Sequence, residues 1–176
     1  NFVVPSTNPD ILPDTPSGVV GSSKLAKIAD TNGAAASGAA GDKLTLSASS
    51  DFAFGTGDFT MECFAYRDKD PYSYSRLINF GPYWSSNDSV SITFDDGDNA
   101  NKIVFASYKL RSTGSVPSNG RILVGSTDVG SNRWYHVAVT RESGVFKLWI
   151  DGKLEDTESS VTSQSIESSA TNTLAI

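Results

Sequence analysis

From Lys43 onward the chain consists of short stretches in which apolar and polar residues alternate, separated by turn-forming residues. Alternation with period two puts successive side chains on opposite faces, as in a half-buried strand. In Phe59–Tyr66, residues Phe59, Met61, Cys63 and Ala65 share one face, and Thr60, Glu62, Phe64 and Tyr66 share the other. Lys43–Ser47, Arg76–Phe80, Ser89–Phe94, Lys102–Tyr108 and Arg121–Gly125 read as further strands. The cleanest are Trp134–Arg141 and Val145–Ile150, joined by Glu142-Ser143-Gly144, with Phe146, Leu148 and Ile150 alternating against Lys147, Trp149 and Asp151. Asp151-Gly152 predicts a tight type I′ turn into Lys153–Thr157, and Asn172–Ile176 fits a last strand. About nine or ten short strands without helical periodicity predict an all-β, antiparallel sandwich or barrel. Its core is expected to include Phe59, Met61, Val137, Val139, Phe146, Leu148 and Ile150.

The first part of the chain has a different character. Pro5, Pro9, Pro13 and Pro16 deny residues 1–17 a full set of backbone donors and predict an extended linker, or an arm on a neighbouring subunit. Residues 18–41 are small and bland, with one short strand expected around 26–29. The remaining length, 18–176, suits a single domain. The chain opens on Asn1 and ends in the strand-like run Thr173–Ile176, so it reads as a processed or partial piece of a longer polypeptide.

Composition sharpens the picture. Ser (27) and Thr (14) make the chain rich in hydroxyls and poor in helix formers, which excludes a long-helix bundle. The net charge of −6 repels phosphate backbones, and no basic stripe offsets it, so nucleic acid is not an expected partner. Cys63 is the only cysteine, so no intrachain disulfide can form. No apolar run has membrane-spanning length, and the first residues lack a signal-peptide pattern; membrane insertion is not expected.

Three segments, taken in order, resemble a known family. Asp51-Phe52-Ala53-Phe54-Gly55-Thr56-Gly57-Asp58-Phe59-Thr60-Met61-Glu62 resembles the entry of laminin G-like, concanavalin A-type jelly rolls. Asn132-Arg133-Trp134-Tyr135-His136-Val137-Ala138-Val139-Thr140-Arg141 is similar to that family's W-x-H-V-A strand. Gly144 and Lys147-Leu148-Trp149-Ile150-Asp151-Gly152-Lys153-Leu154 resemble its closing hairpin. The resemblance covers roughly residues 40 to 176 and implies a jelly-roll β-sandwich. The glycine that usually follows the family's final strand is missing here. Such domains occur in large extracellular proteins and in bacteriophage tail or capsid-decoration proteins. The hydroxyl-rich composition, the missing disulfides and the proline-rich lead-in favour the phage setting by analogy.

Catalysis finds little support in the residues. Glycoside hydrolases of this fold carry an E-x-D-x-E-like run that sets paired carboxylates on one strand face, and none is present. Glu62 reads as a solvent-facing strand residue, and His136, the single histidine, as a packing or hydrogen-bonding residue. Cys63 reads as an inert buried thiol. No catalytic residue and no enzyme activity are expected. Asp95, Asp96 and Asp98 cluster hard oxygen donors around Gly97; a solvated turn is the favoured reading, with Ca2+ ligation the alternative and the only cofactor in view. Laminin G-like domains often bind Ca2+ at a sandwich rim, but their ligands do not map onto this chain residue by residue.

The third constellation is aromatic. Tyr72, Tyr74, Tyr83 and Trp84 lie between predicted strands, with Arg76, Asn87 and Asp88 near in sequence to take hydroxyls. Three readings stay open for these rings: a glycan platform, a subunit interface, or a lid on the sandwich end. Loops 70–88 and 95–101 are expected at exposed ends or edges as the contact surface. Trp134 and Trp149 read as framework residues on their strands. The expected function is a non-catalytic recognition and assembly module on a virion (tail fibre or capsid decoration) or extracellular appendage. Its partners would be other protein subunits and host-surface glycan. The alternatives are a subunit-joining domain without a ligand and, more remotely, a degenerate glycoside hydrolase.

Overall fold

The computed structural model describes residues 45–67, 75–81, 89–94, 99, 101–113, 115–116, 120–166 and 174–175. The proline-rich lead-in and the strand expected at 26–29 lie outside the described residues. Among the described residues ten strands follow in chain order: β1 (Thr45–Leu46), β2 (Phe59–Arg67), β3 (Ser75–Phe80), β4 (Val90–Phe94), β5 (Ile103–Ser107), β6 (Arg121–Val124), β7 (Arg133–Glu142), β8 (Val145–Ile150), β9 (Lys153–Glu158) and β10 (Leu174–Ala175). They form a six-stranded sheet, ordered β1-β10-β3-β4-β5-β6, and a four-stranded sheet, ordered β2-β7-β8-β9. Every pairing is antiparallel. The expected all-β jelly-roll sandwich is the observed fold.

The alternation along each strand decides which face meets the other sheet. In β8 the odd-even pattern puts Phe146, Leu148 and Ile150 inside, and β2 contributes Met61 and Ala65 with Phe59 and Cys63 packed against them. β7 adds Val137 and Val139; β4 and β5 answer from the opposite sheet with Val90, Ile92, Phe94, Ile103 and Phe105. Phe59, Phe105 and Phe146 join the layers at ring separations of 6.1–6.4 Å. Burying each such ring removes a large apolar area from water and stabilises the sandwich by about 1.5–3 kcal/mol. All seven residues expected in the core lie in it or against it.

Two tight turns set the register of the four-stranded sheet. Ser143 and Gly144 (φ 50° and 80°) connect β7 to β8, and Asp151 and Gly152 (φ 51° and 77°) connect β8 to β9. Both central residues of each turn lie in the left-handed region, as type I′ geometry requires and as the sequence predicted at 151–152.

One expectation needs correction. The run Lys102–Tyr108 is not strand throughout: β5 stops at Ser107, and Tyr108–Ser112 form a single helical turn, α1. The Ser107 hydroxyl accepts from the Leu110 amide as an N-cap and donates to the Ile166 carbonyl at 2.5 Å. One turn is too short to show a helical period, and fully buried Leu110 holds it against the core.

Candidate functional site

The alternation that sends Met61 and Ala65 inward sends Glu62, Phe64 and Tyr66 to the outer face of the four-stranded sheet. Register then sets each beside a residue of β7: Glu62 beside Ala138, Phe64 beside His136 and Tyr66 beside Trp134. Across the sheet, Ala138 is followed by Trp149 of β8, and Trp149 by Leu154 of β9. The sheet's solvent side therefore carries a row of rings. Phe64 is 46% exposed and Leu154 45%, whereas Tyr66, Trp134, His136 and Trp149 are half-buried. Large apolar groups left in water on one contiguous face are the usual mark of a contact surface.

The rings are held in place. Phe64 lies 4.8 Å from the His136 ring at a 40° tilt, and Tyr66 lies 5.4 Å from Trp134 at 57°. The Glu62 Oε2 and His136 Nε2 atoms are 3.2 Å apart. Trp149 donates its indole N–H to the Thr140 hydroxyl at 3.2 Å. At one end of the row, the Asp151 carboxylate accepts from the His136 amide at 2.9 Å, and the Asp151 amide donates to the His136 carbonyl at 2.8 Å. Asp151 also pairs with Arg133, and Lys147 lies within 3.8 Å of Glu142. The face thus combines apolar rings with one polar cluster, the chemistry that holds the C–H faces and hydroxyls of a sugar.

Most residues singled out from the sequence do not come into this site. Tyr72, Tyr74, Tyr83, Trp84, Asn87, Asp88, Asp95, Asp96 and Asp98 lie outside the described residues. Arg76 is half-buried on β3 opposite Thr93, and this pair belongs to the outer face of the six-stranded sheet, across the sandwich from the aromatic row. That face is polar: Asn79 pairs with Ser91 in register, and the Asn79 side-chain amide donates to the Gly81 carbonyl at 2.8 Å. Among the described residues, Asn79 Oδ1, Ser89 Oγ and Thr93 Oγ1 are buried without a hydrogen-bond partner. Among the same residues, no cluster of three or more His, Cys, Asp or Glu could hold a metal ion.

The residues read as bland largely behave so. Glu62 faces solvent, and His136 makes a side-chain hydrogen bond, to Glu62 itself. Burial, assisted by the Glu62 charge, pushes the Cys63 thiol up to about 11, so it stays protonated. Trp134 and Trp149 sit half-buried on their strands as expected, and their rings add to the outward row. The signal was present in β2, where the strand's second face carried Phe64 and Tyr66 instead of polar residues alone.

Two layers of antiparallel strands around one core define the class: a jelly-roll sandwich of concanavalin A type. The chain belongs to the concanavalin A-like lectin/glucanases superfamily, whose laminin G family matches residues 37–176. No curated protein matches it. Among solved structures it is similar to domain 4 of an extracellular family 43 arabinanase from Geobacillus stearothermophilus, in complex with arabinotriose. That match has 12% identity and a TM-score of 0.53, covering 77% of this chain and 57% of that one. It is also similar to the binding domain of Paraclostridial Mosquitocidal Protein 1, with 14% identity, a TM-score of 0.51, and 76% and 32% of the two chains covered. The chain therefore spans just over half of the first structure and about a third of the second. At these identities the likeness is one of fold.

Proposed function

We propose that this domain is a non-catalytic carbohydrate-recognition module whose contact surface is the outer face of the four-stranded sheet. The observation that carries the reading is the outward row Tyr66–Trp134 and Phe64–His136, with Phe64 exposed, the other rings half-buried and the Glu62–His136 pair beside them. A lectin needs ring faces for stacking and fixed polar atoms for orientation, and both occur here on rigid strands. The missing E-x-D-x-E run supports a non-catalytic role. The module would sit on an extracellular or virion appendage, joined to other subunits. That setting is supported by its disulfide-free, hydroxyl-rich composition and proline-rich lead-in.

A second reading, a subunit-joining domain without a sugar ligand, is favoured by the exposure of Phe64 and Leu154, which a protein partner would also cover. Glycan-array binding separates the two. Binding that falls more than about tenfold in Phe64→Ala and Trp134→Ala, with melting temperature nearly unchanged, supports the lectin reading. Binding unaffected by both substitutions overturns the placement, and an array without any hit favours the joining domain. Arabino-oligosaccharides belong in the array because the arabinanase domain was solved with one.

A further inference from the structure

The charges around the aromatic row narrow the ligand. On this side of the sheet the Lys147 ammonium faces Glu142, while Arg133 has the inward parity of β7, lies over the buried Tyr135 ring and pairs with Asp151. No described cation there is left to meet a carboxylate, sulfate or phosphate, and the chain's net charge of −6 adds a repulsive field. Glu62 spends Oε2 on His136, and its side chain stays 61% exposed, so Oε1 remains as an acceptor for a hydroxyl. The residues stand on the flat of two adjacent strands. Phe64 and Tyr66, two positions apart on β2, repeat the ring contact about 6.8 Å further along the strand. A surface repeated along one direction suits a chain passing over it; a chain end needs walls on several sides.

We propose that the site takes internal segments of an uncharged polysaccharide, with the Glu62–His136 pair reading one sugar hydroxyl at one end of the two ring contacts. This rests on the carbohydrate reading above. The imidazole fixes the carboxylate on one oxygen, and the other accepts the ligand O–H. Phe64 and Tyr66 supply apolar area on one side of it, two and four positions further along β2. A fixed acceptor at the end of two ring contacts selects the hydroxyl's position relative to the rings.

The experiment is affinity electrophoresis of the whole chain in gels containing neutral polymers (arabinan, xylan, mannan, β-glucan), acidic polymers (polygalacturonate, alginate) or cationic chitosan. The expected result is retardation by at least one neutral polymer, unchanged between about 0.05 and about 0.5 M NaCl. The component monosaccharide should compete more than about tenfold worse than the polymer per sugar unit. Phe64→Ala should abolish the retardation, and Glu62→Gln should weaken it severalfold with melting temperature held. Retardation confined to acidic polymers or chitosan, and lost in salt, overturns the uncharged-ligand inference while leaving the carbohydrate reading intact. A monosaccharide competing as well as the polymer overturns the internal-segment inference alone. No retardation by any polymer removes both; if sedimentation then shows self-association that Phe64→Ala abolishes, the face is a contact between copies.

Discussion

Arg141 lies across the sheet from Phe146 with its guanidinium carbon 4.8 Å from the ring centroid, and from that seat it reaches three backbone carbonyls. It donates to Gly55 at 3.1 Å, to Thr162 at 2.7 Å and to Gln164 at 3.0 Å. Burial lowers the pKa of the guanidinium, and the Asp58 carboxylate pulls it back up. One side chain therefore ties the segments before β2 and after β9 to the core.

Replacing Arg141 with Met should keep the apolar contact with Phe146 and orphan the carbonyls. The three bonds are part-buried, and a fully buried carbonyl left unpaired costs about 1–3 kcal/mol, so a total loss of about 2 kcal/mol or more is expected in urea unfolding. A loss below about 1 kcal/mol would show that water replaces the guanidinium and that the clasp is incidental.

Gly144 and Gly152 occupy equivalent turn positions but have different surroundings. A Cβ on Gly144 would come within 2.6 Å of the Thr162 carbonyl oxygen, whereas one on Gly152 meets nothing within 4 Å. Both substitutions to Ala carry the strain of a positive φ, about 1–3 kcal/mol. Gly144→Ala adds the collision, so it should lower the melting temperature clearly more than Gly152→Ala. Equal losses in the two variants would mean that the 161–164 segment moves aside at no cost.

Acid stability should depend on Glu155. Burial alone would raise this carboxyl, but hydrogen bonds from Ser126, Lys153 and Thr127 outweigh it and hold the pKa at about 2, against an ordinary 4.5. A depressed pKa contributes stability that is full above about 4.5 and lost as pH falls towards 2. Glu155→Gln should therefore melt lower than the parent at neutral pH, and the two melting curves should converge between pH 4.5 and 2. A gap that stays constant over that range would assign the loss to packing and not to the charge.

Cys63 should resist thiol reagents in the folded protein. With its pKa near 11, almost no thiolate exists at neutral pH, and the inward face of β2 shields the sulfur. Labelling by a maleimide or disulfide reagent should track unfolding by denaturant. Rapid labelling without denaturant would place the sulfur on an open edge.

The fold was legible because a strand's period is two: the inward sets 59/61/63/65 and 146/148/150 follow from sequence without any knowledge of partners. The turns at 143–144 and 151–152 were legible for a similar local reason, since positive φ favours glycine. The site was not. Phe64 meets His136 only through the β2–β7 pairing, and Trp149 joins them through β8; sequence proximity carries no trace of those neighbours. Proximity in sequence pointed instead to the aromatic and acidic loops, while Arg76, the one described residue among the candidates there, belongs to the opposite sheet.

β10 lies between β1 and β3, and among the described residues β1 pairs with no other strand. On a growing polypeptide, the β1–β10 pairing of residues 45–46 waits until residues 174–175 have emerged. The β7–β8–β9 hairpins need only neighbouring residues and two tight turns, so they can form while the rest is still being made. The order of events is written into this topology: local hairpins first, long-range closure last. Because that closure carries the largest loss of chain entropy, refolding belongs on the millisecond-to-second scale of β-rich domains, with β1 the last strand to dock.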